Sequence, residues 1–171
     1  MKVNITLTPE ANLLAAINAA NVGANITAAQ VTFGAVSVSA GTGGRNSSVT
    51  LTGVNGQGIE GSRAFAYTRQ ALSAGALPSV VPFISIAPGD TRPQVLAKAC
   101  TQLGLIATEI EDISYTAPVD VDTHGAMQIA ALVGSLLYYD LKDLEIRLID
   151  TDVAFATVAP VTDLDAFEAE A

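Results

Sequence analysis

The chain has 171 residues, half of them apolar and 15% charged, with a single cysteine and a formal net charge of −9. The apolar share excludes an intrinsically disordered chain, and the lone Cys100 excludes a disulfide scaffold within one chain. Eight Lys and Arg against seventeen carboxylates make a poor binder of a phosphate backbone.

The mean hydropathy is +0.41, yet no run reaches about 18 consecutive apolar residues, so no membrane span is expected. The opening MKVNITLTPE turns polar too soon for a signal peptide.

Ile5-Thr6-Leu7-Thr8-Pro9 alternates and predicts a first short strand. Leu13, Leu14, Ile17 and Ala20 then fall at helical spacing, and the helix is expected to stop near Gly23. The segment ITAAQVTFGAV leads into a strand. Gly41-Thr42-Gly43-Gly44-Arg45 lacks the Lys-Ser/Thr pair of a phosphate loop and runs into SSVTLT rather than a helix, so it reads as a turn between strands. Val49 and Leu51 alternate with Thr50 and Thr52, which predicts a sheet with one face covered and the other wet or covered by a neighbour. Asn55-Gly56 marks a turn, and residues 62–68 alternate as another strand. Gly75, Pro78 and Pro82 in GALPSVVP place a boundary near residue 80.

The same order of elements then returns. Ile84-Ser85-Ile86-Ala87-Pro88 repeats the opening strand, Val95, Leu96, Ala99 and Leu103 repeat the helix, and Gly104 repeats the stop. IATEIEDISYTAP matches the second segment, and residues 144–149 close the half as a strand. Between them AMQIAALVGSLLYYDL reads as a helix at its beginning and a strand toward Tyr138-Tyr139. Corresponding elements lie about 80 residues apart, the signature of an internal duplication. The expected fold class is α+β: two tandem small domains, 1–80 and 81–150, each one helix plus an antiparallel or mixed β-sheet.

Charge divides along the same line. Residues 1–82 carry four basic and two acidic side chains, whereas residues 83–171 carry four basic and fifteen acidic ones. The weakly basic half is expected to meet an acidic surface, either on another copy or on a partner. In the tail, 151–171, Val153, Phe155 and Val158 predict a last strand that Pro160 interrupts. Leu164 and Phe167 follow between carboxylates, the pattern of an acidic arm docking two apolar side chains on a neighbouring copy.

No catalytic constellation emerges. His124 is the only histidine, and Cys100 lies on the apolar stripe of the second helix, where free cysteine behaves as a small hydrophobe. The run from Asp120 to Gly125 resembles the start of a calcium loop, but Ala131 stands where the twelfth-position acid belongs. Asp140, Asp143 and Glu145 around Lys142 read as solvated turn charges rather than facing carboxylates. With no Trp and nine Phe and Tyr, a stacking platform is not expected either. The expectation is a protein without catalytic activity, metal or cofactor, and without nucleic acid or membrane as partner.

The stretch from residue 12 to about 69 carries the helix LLAAINAAN, the segment ITAAQVTFG, the turn and strand GTGGRNSSVTLT, and GSRAFAYTR. In these features it resembles a module of virion structural proteins from large tailed bacteriophages. The resemblance implies a non-catalytic virion component, foremost a capsid decoration or minor capsid protein, with other virion proteins as partners and a homo-oligomeric or lattice-bound state. A neck, tail or fibre-attachment adaptor and a host-surface binding module are the alternatives. Candidate partner contacts are Arg45, Asn46, Arg63, Arg69, Leu164 and Phe167.

Overall fold

The computed structural model describes residues 3–41, 43–73 and 83–149. The boundary motif at 75–82 and the predicted last strand and arm at 151–171, with Leu164 and Phe167, lie outside the described residues.

Helix α1 (Pro9–Ala20) starts where local chemistry favours it. The Thr8 hydroxyl accepts the Ala11 N–H at 3.2 Å, Pro9 occupies a position whose N–H has no helical acceptor, and Glu10 meets the positive end of the helix dipole. Its buried stripe is Leu13, Leu14 and Ile17, each worth roughly 1.5–3 kcal/mol when removed from water. A 3-10 turn at Ala28–Gln30 leads into β1 (Val31–Phe33), β2 (Ser37–Gly41), β3 (Arg45–Gly53) and β4 (Ser62–Tyr67), and the short β5 (Gln70–Ala71) ends this half. Strand β3 is the spine of the first sheet, antiparallel to β1 and β2 on one side and to β4 on the other. Ser47, Val49 and Leu51 are buried while Thr50 and Thr52 are exposed, so one face is covered and the other faces out.

The second half contains β6 (Ile84–Ile86), α2 (Arg92–Leu103), a 3-10 turn at Ala107–Glu109, β7 (Ile110–Thr116), β8 (Gly125–Ala131), β9 (Tyr138–Tyr139) and β10 (Leu141–Leu148). Its sheet runs β6-β10-β8-β7; β6 is parallel to β10 and the other pairs are antiparallel. The Gln94 side chain accepts the Thr91 N–H at 2.8 Å to open α2. Gly104 closes it in the left-handed conformation, φ +67°, that an L side chain resists. Val95, Ala99, Cys100 and Leu103 are buried on α2, as are Ile84, Ile86 and Ile146 on the sheet. A parallel pairing of β5 with β9 joins the halves, and buried side chains from both form one cluster. Among the described residues the architecture is therefore α+β, with two helices and several mostly small sheets.

Three local expectations are corrected. Residues 5–9 do not form a strand. The Asn12 side chain, almost fully buried, accepts the Asn4 N–H at 2.7 Å and donates to the Asn4 carbonyl at 2.9 Å. Asn4 Oδ1 in turn accepts the Thr6 N–H, so the segment closes as a turn on the start of α1. The beginning of AMQIAALVGSLLYYDL is strand β8 rather than helix, because Met127 and Ile129 alternate inward against Gln128 and leave no helical stripe. Lys142, Asp143 and Glu145 belong to β10 rather than a turn; Asp143 and Glu145 lie on the face opposite buried Leu144 and Ile146, and Lys142 lies at the start of the strand on the same face as those two.

Candidate interaction site

Strand β4 pairs with β3 alone, in a continuous register from Ser47 opposite Tyr67 to Thr52 opposite Ser62. The Gly53 N–H donates to the Gly61 carbonyl at 2.8 Å. In an antiparallel ladder this fixes the alternation, so the backbone groups of Ser62, Ala64 and Ala66 point away from β3. That outer edge pairs with no strand among the described residues. In the second sheet, β10 pairs β8 on one side and has β6 along the other.

Two depressions lie between α1 and this edge strand, with volumes of about 350 and 330 Å³. Phe65 lines both. The first is walled by Ile17, Ile26, Leu51 and Ile59, with Arg63 and Glu60 beside them. The second is walled by Leu13, Ala16, Ala20 and Tyr67, with Arg45 beside them. The Arg63 guanidinium lies 5.7 Å from the centre of the Phe65 ring, and Arg45 Nη1 donates to the outward carbonyl of Ala66 at 3.2 Å. A charge laid on an open edge in this way discourages indiscriminate strand pairing while leaving the edge available. Arg45 and Arg63, two of the candidate contacts, are thus brought to one groove.

Asn46 and Arg69 serve a different purpose. Asn46 Oδ1 accepts the Arg69 N–H at 2.8 Å and its Nδ2 donates to the Arg69 carbonyl at 3.0 Å. The Arg69 guanidinium donates to Ser47 Oγ at 2.6 Å and to the carbonyls of Ser135 and Tyr138 at 3.1 and 3.2 Å. From the other half, buried Glu109 accepts hydrogen bonds from the Ser135 hydroxyl and, at 3.0 Å, from the Leu137 N–H. A polar network therefore fastens the halves where β5 meets β9. Sequence reading missed Glu109, which looks like one more surface acid; the only available signal was its place between apolar Ile106 and Ile110. Beside this network the Tyr67 hydroxyl is buried and has no hydrogen-bond partner among the described residues. Burial pushes its pKa from 10.0 up to about 12, opposed by Arg69 and reinforced by Glu109.

The remaining chemical groups are placed as follows. His124 Nδ1 is 3.0 Å from Glu145 Oε1, with the imidazole half exposed. Cys100 is buried, and burial raises its thiol from 9.0 to about 11. In the Asp120–Gly125 loop, Asp120 Oδ1 accepts the Asp122 N–H at 3.0 Å, and Thr123 Oγ1 accepts the N–H groups of Val119 and Asp120 at 2.9 Å. Among the described residues no three His, Cys, Asp or Glu side chains gather to hold a metal, and no helix is long and apolar enough to cross a membrane.

Comparison with known proteins matches residues 3–169 to a family of unknown function, DUF7941. The chain belongs to the DUF7941 family. The match crosses both halves and most of the tail, so DUF7941 comprises all three segments rather than one of them. No curated protein and no solved structure matches the chain.

Proposed function

We propose that this chain is a structural protein of a tailed-phage virion, a capsid decoration or minor capsid protein held in the particle by protein–protein contacts. The observation that carries the contact reading is the outer β4 edge, unpaired among the described residues, beside an apolar groove with Arg45 and Arg63 on it. An edge of this kind gives main-chain affinity, and adjacent pockets give side-chain specificity. The phage assignment rests on the resemblance of residues 12–69. Exposed apolar side chains such as Val38 and Val133 suit a molecule that is covered once assembled.

We read the two halves as diverged copies of one unit. Both run helix, 3-10 turn and three antiparallel strand passes, with β1 and β2 together standing where β7 stands. On this reading the second copy kept its opening strand beside β10 and the first lost it, which opened the edge for a partner.

Quantitative mass spectrometry of purified particles of the encoding phage, scaled to the major capsid protein, tests the assignment. A copy number near a simple fraction of the capsid lattice is expected. Absence from the particle overturns the virion reading, and about a dozen copies or fewer overturns decoration in favour of a neck or tail position.

A further inference from the structure

We infer that the β4 edge receives the C-terminal segment of a neighbouring copy, residues 153–158, as an added strand. This rests on the assembly reading above and names the partner of that site.

Four observations converge on this occupant. The first is the edge itself: β10 has β6 along its outer edge, whereas the outer edge of β4 pairs with no strand among the described residues. The second is the side-chain pattern. On β4, Arg63, Phe65 and Tyr67 line the groove, and strand alternation sets the Ser62, Ala64 and Ala66 side chains on the other face, although Ser62 and Ala66 also border the depressions. In the tail, Val153 and Phe155 alternate with Ala154 and Ala156. One register therefore brings Val153 and Phe155 to the depressions flanking Phe65 and sets small residues beside small residues on the opposite face. The third is charge. Residues 150–171 carry six carboxylates and no Lys or Arg, and Arg45 and Arg63 line the receiving groove. The fourth is the family match, which runs through residue 169, so the tail belongs to the sequence the family shares.

Other edges are less suited. Strand β7 carries a register shift between Asp112 and Ser114 together with Glu111 and Asp112, and β1 is only three residues long. The described chain leaves the second sheet at Ile149, whose N–H is held by the Ile86 carbonyl at 2.8 Å, so the tail departs from the half opposite the β4 groove.

Cysteine cross-linking of the full chain tests the inference. Ala64→Cys and Ala156→Cys sit near the centres of the two segments, so either strand direction brings them close. The native Cys100 thiol is buried and stays out of the reaction. Mixing the two single variants under mild oxidation is expected to give a disulfide-linked species of twice the chain mass on a non-reducing gel. Adding Phe155→Asp to the tail variant should abolish it. Replacing Ala64→Cys with Ser114→Cys on β7 should give no such species, and circular dichroism confirms that each variant is folded. Cross-linking within one chain of the double variant, a dimer from Ala64→Cys alone, equal yield at Ser114→Cys, or no cross-link would each overturn the inference. These results are separable from the particle assignment. A chain found in virions but not cross-linked sinks only the inference, and a cross-linked chain absent from virions sinks only the virion reading.

Discussion

Arg69 and Glu109, from opposite halves of the chain, hold the same short loop. Arg69 donates to the carbonyls of Ser135 and Tyr138, and Glu109 accepts from the Ser135 hydroxyl and the Leu137 N–H. The loop thus exchanges hydrogen bonds with a cation on one side and an anion on the other, and the β5–β9 pairing continues from it. Removing either partner strands polar groups in a place water reaches poorly, and that costs more than the bonds are worth in solution.

Arg69→Ala is therefore expected to destabilise the protein by roughly 2–3 kcal/mol, with Lys recovering only part because it lacks the planar fork. Glu109→Ala should act in the same direction. Because the two side chains share one loop, their double-variant cycle should show a coupling of roughly 0.5–3 kcal/mol in urea denaturation. Strictly additive losses would mean that the two side chains act on separate structures.

Tyr67→Phe removes a buried hydroxyl that has no hydrogen-bond partner among the described residues. Stability should stay level or rise by up to roughly 1 kcal/mol. A clear loss in thermal or urea unfolding would show that the hydroxyl is satisfied.

Alkaline pH should unfold the protein earlier than its surface charge alone would. Burial raises Cys100 from 9.0 to about 11 and Tyr67 from 10.0 to about 12. Both groups are neutral in both states below pH 9, so their contribution is intact there. As pH rises, the unfolded chain releases these protons first, and stability is lost progressively between pH 9 and about 12. Cys100→Ala should flatten the lower part of that decline in urea titrations at stepped pH. An unchanged decline would exclude the thiol as its source.

Gly53→Ala is expected to cost roughly 1–3 kcal/mol through overpacking. A Cβ there would lie 2.2 Å from the Ile59 carbonyl oxygen, a backbone atom that cannot swing aside. The loop carrying Ile59 would shift and reshape the first depression. A variant of unchanged melting temperature would contradict this packing.

Both helices and most strands could be read from the sequence, because Leu13, Leu14 and Ile17, or Val49 and Leu51, repeat at the period of their element. What could not be read depends on contacts distant in sequence. A single buried Asn12 turns residues 4–7 away from strand pairing, and Ala-rich β8 has a period visible only through Met127 and Ile129. At the candidate site, Arg45 and Arg63 were legible as candidate contacts, but the groove that unites them was not, since it forms only when α1 packs beside β4. Asn46 and Arg69 looked equally available, and their hydrogen bonds to each other and across the junction set them apart only in three dimensions.

The most direct test of the open edge as docking site is sedimentation of the full chain against Ala64→Pro. The Ala64 N–H points away from β3, so proline there removes no bond within the sheet but blocks an added strand. The parent should associate as its concentration rises, while Ala64→Pro keeps its circular dichroism and stays monomeric. A parent that remains monomeric, or a folded Ala64→Pro chain that associates equally, would contradict the account.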